Sequence, residues 1–145
     1  MIWLLRHGDA EDGGGKPDAE RDLTEKGERQ SRAAGQALKV LGVEIDVCLT
    51  SPKVRARRTA ELACEALGTP IEDDGRLAGG KFDPLEVAAG RGEVMLVGHE
   101  PDFSSAVAMA TGSRVKVKKG GIAAIDDQLL HILMRPKDLK AIAGD

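Results

Sequence analysis

Two histidines stand beside glycines where short apolar runs give way to polar sequence: His7 in Arg6-His7-Gly8, and His99 in Gly98-His99-Glu100-Pro101. Imidazole changes protonation near neutral pH and can act as nucleophile, acid or hydrogen-bond donor. A neighbouring glycine lets a ligand come close to the backbone. Arginines recur around them: Arg6 beside His7, Arg21 in Arg-Asp-Leu-Thr ahead of a helical pattern, and Arg55 near the start of another. Guanidinium offers planar, paired donors to a tetrahedral oxyanion, and a helix N-terminus adds free N–H groups and partial positive charge. A lone histidine is more often a satisfied structural residue, and a lone arginine a surface ion pair. Together they form a set suited to phosphoryl chemistry. A neutral imidazole attacks phosphorus, cations gather the oxygens, and water hydrolyses the phosphohistidine in a second step. Each close arginine contributes a gross attraction of about 4 kcal/mol at an effective dielectric of about 20. That suffices to hold a dianion in a chain whose net charge is −3.

The elements that must position these groups follow from periodicity. Residues 2–5, Ile-Trp-Leu-Leu, are a brief continuous apolar run and read as a buried strand. A polar loop spans residues 9–22. Thr24 can N-cap a helix whose Ala33, Ala34, Ala37, Leu38 and Leu41 share one face, with Gly42 as its stop. Residues 45–50 form a second strand. Ser51-Pro52 is placed to open the next helix, serine as cap and proline in the first turn, and that helix runs to Leu67 before Gly68. A short strand at 71–74 precedes a segment, 75–92, of loop with a helical turn or two near 85–89. Residues 93–97 read as a central strand, and 101–110 as a helix with Phe103, Ala106, Val107 and Ala110 at helical spacing. Late strands are expected at 115–117, 122–125 and 129–133, the last two joined by a turn at Asp126-Asp127. The tail from Pro136 reads as a short amphipathic helix. Strands alternating with helices predict a single α/β domain over residues 1–145: three layers, α/β/α, with a mostly parallel central sheet and helices on both faces. Ligands in such folds bind beyond the carboxyl ends of the strands, where His7 and His99 fall.

Composition narrows the function classes. The chain is 41% hydrophobic and 31% charged, a globular balance rather than a disordered one. Its aromatics are Trp3, Phe82 and Phe103 alone, which argues against base stacking on single-stranded nucleic acid. The acidic net charge supplies no global attraction to nucleic acid or anionic lipid. Cys48 and Cys64 lack CxxC spacing and read as reduced structural residues. The apolar run at the start is too short to span a bilayer, so a cytoplasmic protein is expected.

Arg6-His7-Gly8, Arg-x-Leu-Thr-x-x-Gly from Arg21 to Gly27, Ser-Pro-x-x-Arg-Ala-x-x-Thr from Ser51 to Thr59, and Gly98-His99 occur in that order. This series resembles the histidine phosphatase superfamily. Its compact length, and Arg6-His7-Gly8-Asp9-Ala10 in particular, resemble the SixA-type phosphohistidine phosphatases. The resemblance covers nearly the whole chain. It implies a compact phosphoglycerate mutase-like fold without a large lid insertion, and neither metal nor organic cofactor. It implies that His7 is the nucleophile, that Arg6, Arg55 and His99 hold the phosphoryl oxygens, and that Arg21 is an additional phosphate-binding arginine. Gly8, Ser51 and Glu100 complete the expected substrate-binding set.

One departure bears on substrate. Larger relatives place a leaving-group acid, a glutamate, between the second helix and the central strand. That region here reads Arg76-Leu77-Ala78-Gly79-Gly80. Asp73, Asp74, Asp83 and Glu86 lie nearby, and Glu100 reads equally as an acid or as a helix cap. A missing acid suits a nitrogen leaving group that protonates easily. The expected activity is therefore dephosphorylation of phosphohistidine on a signalling or phosphotransfer protein, such as a histidine phosphotransfer domain. A small-molecule phosphomonoesterase, a mutase, and a non-catalytic module that binds phosphorylated proteins are the alternatives.

Other signals carry less. Gly13-Gly14-Gly15-Lys16-Pro17 lacks Walker spacing and reads as a flexible rim. Asp9, Glu11, Asp12 and Glu20 only loosely imitate a calcium loop. Arg114, Lys116, Lys118 and Lys119, alternating with Val115 and Val117, read as an edge strand with its charged face in water, or as a dock for an acidic partner. Nothing in the sequence brings His131 to the site.

Overall fold

The computed structural model describes residues 1–144. Six strands, β1 (Ile2–Arg6), β2 (Val47–Thr50), β3 (Ile71–Asp73), β4 (Val94–Gly98), β5 (Ile122–Asp126) and β6 (Leu129–Met134), form one sheet in the order β3-β2-β4-β1-β5-β6. The first four in that order run parallel, and the β5–β6 hairpin pairs antiparallel on β1. Five helices accompany them: α1 (Glu25–Val40), α2 (Val54–Leu67), α3 (Pro84–Ala88), α4 (Asp102–Thr111) and α5 (Pro136–Ala143).

The central strands are apolar on both faces because both faces are covered. Successive side chains point opposite ways. Trp3, Leu5, Cys48, Met95 and Val97 meet Ala34, Leu38, Ala60 and Leu139 from α1, α2 and α5. Leu4, Val47, Leu49, Val94 and Leu96 meet Val87, Phe103 and Val107 from α3 and α4. The result is the three-layer α/β/α architecture, with a mixed rather than wholly parallel sheet.

Local chemistry explains the element ends. The Thr24 hydroxyl accepts from Gly27 N at 3.1 Å and caps α1, and α2 stops at Gly68 in the left-handed conformation, φ 63°. The hairpin turns through Asp127 and Gln128, both at positive φ, which matches the right-handed twist of the strands it joins.

Three expectations are corrected. Helix α2 begins at Val54, not at Ser51-Pro52, and its N-cap Lys53 makes no side-chain capping bond. Leu41 lies past the last turn of α1 and is 49% exposed. Residues 115–117 are not a strand. Val117 is buried, but its N–H donates to Glu100 Oε2 at 3.1 Å and its carbonyl accepts from Arg6 Nη1 at 3.0 Å. Those side chains take the groups that a ladder would need.

The loop after β1 is held against α1 and α2 by contacts that leave no room for a Cβ. A Cβ on Gly8 would lie 2.5 Å from Gly27 O, and one on Gly27 would lie 2.0 Å from Asp9 O. Gly35 packs equally closely on α2, where a Cβ would lie 2.1 Å from Ala63 O. Gly27→Ala should therefore push α1 away from the loop, lowering stability by about 3 kcal/mol as overpacking does at its upper end. A urea-unfolding midpoint unchanged from wild type would contradict this packing.

Candidate active site

Strand register brings the expected residues together. Arg6 pairs with Gly98 across β1–β4, and Thr50 pairs with Val97 across β2–β4. His7 and His99 are the next residues on β1 and β4 and leave the sheet level with each other, while Ser51, next on β2, lies level with Gly98, one residue before His99. Backbone bonds extend the alignment: His7 N donates to Gly98 O at 3.0 Å, and Ser51 N to Val97 O at 2.9 Å. The His7 and His99 rings end with centroids 5.2 Å apart, tilted by 56°. Both histidines and Arg55 are buried.

Each histidine is oriented by its second ring nitrogen. His7 Nδ1 lies 2.7 Å from Gly8 O. A carbonyl can only accept, so Nδ1 carries the hydrogen and the lone pair is on Nε2. His99 Nε2 lies 2.8 Å from Ser51 Oγ, leaving His99 Nδ1 buried without a partner. Arg6 Nε is likewise buried and unpartnered. Such orphaned buried groups are rare in folded proteins. Here both belong to residues that the family resemblance implies hold the phosphoryl oxygens.

Burial pushes His7 down to about 4, with Arg55, Arg6 and Lys119 adding to the effect and its bond to Gly8 opposing it. Burial also pushes His99 down to about 3, helped by His7, Arg55 and Lys53. Both rings are neutral at pH 7. Their ordinary value is about 6.5, so between that value and their native ones the unfolded chain takes up protons that the native state refuses. Each histidine thus removes stability as pH falls below about 6.5, by up to about 1.4 kcal/mol per pH unit. The loss levels off only near pH 4 for His7 and pH 3 for His99. Imidazole 15N spectra at pH 6 should show both rings neutral, with His7 protonated at Nδ1. An imidazolium spectrum for either ring would contradict the site's electrostatics.

Two of the arginines, Arg55 and Arg21, meet at Asp18. Arg55 donates to Asp18 O at 2.8 Å and to Asp18 Oδ2 at 3.2 Å. Arg21 Nη1 donates to Asp18 Oδ1 at 3.0 Å, and Lys53 Nζ lies 3.6 Å from Oδ2. Arg21 therefore reaches Arg55 through a shared carboxylate, and its Nε is taken by Glu11 O. Thr59 ties α2 to the loop, accepting from Gly8 N at 3.1 Å and donating to Arg55 O at 2.7 Å. Glu100 accepts from Ser104 N, from Ser104 Oγ and from Val117 N. It caps α4 and anchors the 113–120 segment. Three of the other nearby carboxylates are also engaged, Asp73 with Arg57, Asp74 with Arg76, and Asp83 as the N-cap of α3, while Glu86 stands exposed on α3. No cluster of three or more histidines, cysteines or carboxylates is spaced to hold a metal ion among the described residues. His131 is exposed on β6.

Sequence reasoning missed Asp18 and Lys53, and it read Lys119 only as part of a basic edge strand or dock, not as a neighbour of His7. Asp18 and Arg21 are three residues apart in a 3₁₀ turn, a spacing that signals only a local ion pair. The contact from Asp18 to Arg55 crosses 37 residues and has no local signature.

Residues 2–103 match the family model for the histidine phosphatase superfamily, branch 1. The chain belongs to this superfamily. A histidine phosphatase SixA structure complexed with tungstate superposes with TM-score 0.81 at 29% identity, over 96% of this chain and 99% of that one. A SixA structure from Agrobacterium tumefaciens superposes with TM-score 0.80 at 24% identity, over 93% of this chain and 97% of that one, and bears on the fold alone. The architecture is that of the compact SixA-type histidine phosphatases. Among sequence relatives, a Picosynechococcus protein is 36% identical over 94% of this chain and 96% of its own length. A 2,3-bisphosphoglycerate-dependent phosphoglycerate mutase from Methylobacterium is 43% identical, but over 48% of this chain and 35% of the mutase. Superfamily members are thus phosphatases and mutases. No described helix is long and apolar enough to cross a membrane.

Proposed function

We propose that the protein is a phosphohistidine phosphatase in which His7 Nε2 is the nucleophile. The observation that carries this reading is the 2.7 Å contact from His7 Nδ1 to Gly8 O, which fixes the tautomer and aims a lone pair from a neutral, buried ring. Nε2 attacks phosphorus, the substrate's N–P bond breaks, and the departing imidazole nitrogen takes a proton. Water then attacks the phosphorus on His7, releasing orthophosphate and returning the imidazole. Arg6, Arg55 and the unpartnered Nδ1 of His99 stabilise the charge on the equatorial oxygens. Ser51 orients His99, Gly8 orients His7, and Arg21 acts on Arg55 through Asp18. Glu100 serves as a strut between α4 and the 113–120 segment.

Of the candidate acids, Asp73, Asp74, Asp83 and Glu100 are engaged with neighbouring donors and Glu86 is exposed on α3, which favours a leaving group that needs little help from an acid, and phosphohistidine is one. The match to a phosphoglycerate mutase favours a second reading, hydrolysis of small phosphomonoesters by the same nucleophile. The two separate on kcat/KM for a protein phosphorylated on histidine against p-nitrophenyl phosphate and 3-phosphoglycerate. Preference for the phosphohistidine protein by about a hundredfold or more, a difference of roughly 3 kcal/mol in transition-state stabilisation, is expected. Faster cleavage of either ester would move the substrate to phosphomonoesters. Failure to turn over any of them would leave a phosphoprotein-binding module.

A further inference from the structure

The charge that surrounds the site is unevenly placed for an acidic chain. Residues 113–120 form a strap without helix or strand, anchored at Val117 by Arg6 and Glu100. It is anchored again at Gly120, whose N–H is shared by Arg6 O and His7 O at 3.1 and 3.0 Å. Arg114, Lys116, Lys118 and Lys119 are all exposed along it. Lys119 is near enough to His7 to help lower its protonation, and its own carboxylate contact, Asp9, is distant at 3.9 Å. Gly120 rests on Gln30, where a Cβ would lie 2.9 Å from Gln30 Cβ. Gln30 in turn accepts from Asp9 N at 2.8 Å and lines an open groove of about 950 Å³ between α1 and α5. Lys26, Arg29, Arg32, Lys137 and Lys140 line that groove, and no carboxylate does. Arg32 has one carboxylate, Glu65, at 4.0 Å.

We propose that the strap and the α1–α5 groove form one docking surface for an acidic face of the phosphorylated protein substrate. The inference rests on the phosphohistidine reading for the identity of that substrate. Surface cations left without close carboxylates, in a chain of net charge −3, raise the local concentration of an acidic partner and speed its encounter. The positive charge begins beside the nucleophile at Lys119 and, past the neutral Gln30, resumes at the lysines and arginines of the groove. A partner held along it presents its phosphohistidine to His7 without a lid to retain it. The scarcity of aromatic side chains favours a protein over a single-stranded nucleic acid, which would need stacking platforms.

The test compares wild type with Arg29→Glu/Lys137→Glu and with Lys118→Glu. Three substrates are used: an acidic phosphotransfer domain phosphorylated by phosphoramidate, histidine-phosphorylated histone H4, which is basic, and p-nitrophenyl phosphate. For the acidic domain, each variant should raise KM about tenfold with kcat unchanged. The effect should fade between about 0.01 M and about 1 M salt, as the screening length falls from about 30 to about 3 Å. Arg29→Lys/Lys137→Arg should behave as wild type. Histone should not be impaired, and p-nitrophenyl phosphate kinetics should not change. An unchanged KM for the acidic domain, or equal losses on all three substrates, would overturn the docking surface and leave the phosphohistidine reading standing. Tight competition by a single-stranded RNA, with the acidic domain indifferent to the variants, would assign the surface to nucleic acid instead. Turnover of p-nitrophenyl phosphate with neither phosphohistidine protein cleaved would overturn the substrate reading itself.

Discussion

His7→Asn should lower kcat by about ten-thousand-fold or more on every phosphorylated substrate, the scale of effect seen when a covalent nucleophile is removed. Asparagine keeps an N–H close to the position of Nδ1, so the bond to Gly8 O and the local fold should survive. What it lacks is the Nε2 lone pair. Rapid quenching in alkali, where phosphohistidine persists, should trap label from a 32P-phosphorylated substrate on wild type and none on the variant. Label retained on His7→Asn, or turnover within tenfold of wild type, would place the nucleophile elsewhere.

Arg55→Ala should be the next largest loss, about a thousandfold in kcat/KM or roughly 4 kcal/mol. The guanidinium is buried at the N-terminal end of α2, where a phosphoryl group would meet both its paired donors and the positive end of the helix. Deleting it leaves Asp18 still bonded to Arg21 and near Lys53, so the loop should remain folded, as a thermal midpoint near that of wild type would show. Arg55→Lys should recover only part of the loss, because an ammonium keeps the charge without the planar fork. Full recovery by lysine would mean that charge alone matters at this position.

Strand ends and caps were legible because their causes are local. The apolar runs of β1 and β4, both followed by histidine, need only periodicity to be read, and Thr24 and Gly68 mark helix ends by their own conformational preferences. Register then does what no local signal could: pairing Arg6 with Gly98 sets His7 level with His99, and pairing Thr50 with Val97 brings Ser51 up one residue short of His99. The misreadings share a cause. Alternating valines and basic residues at 114–118 look like an edge strand, but side chains from Arg6 and Glu100 claim the backbone of Val117. Ser51 looks like a helix cap, but its hydroxyl is shared between Lys53 N and His99 Nε2. Tertiary bonds thus replaced the local partners that sequence rules assume. Asp18 was unreadable for the same reason, since its importance lies in Arg55 and Lys53, far along the chain.

The turn at Gly79-Gly80 gives this scaffold room to acquire new specificity. A Cβ at Gly79 would lie 3.9 Å from Lys53 Nζ, and one at Gly80 would meet nothing within 4 Å. Lys53 belongs to the Asp18 cluster beside Arg55, so the turn borders the proposed phosphoryl-binding groups while bearing no core side chain of its own. Lengthening a surface loop is thermodynamically inexpensive, about 0.6 kcal/mol for each doubling. A segment spliced in here could overhang the imidazoles and bring its own acid or selectivity pocket. The residues proposed to be catalytic, carried at the strand ends and on α2, would stay in place beneath it.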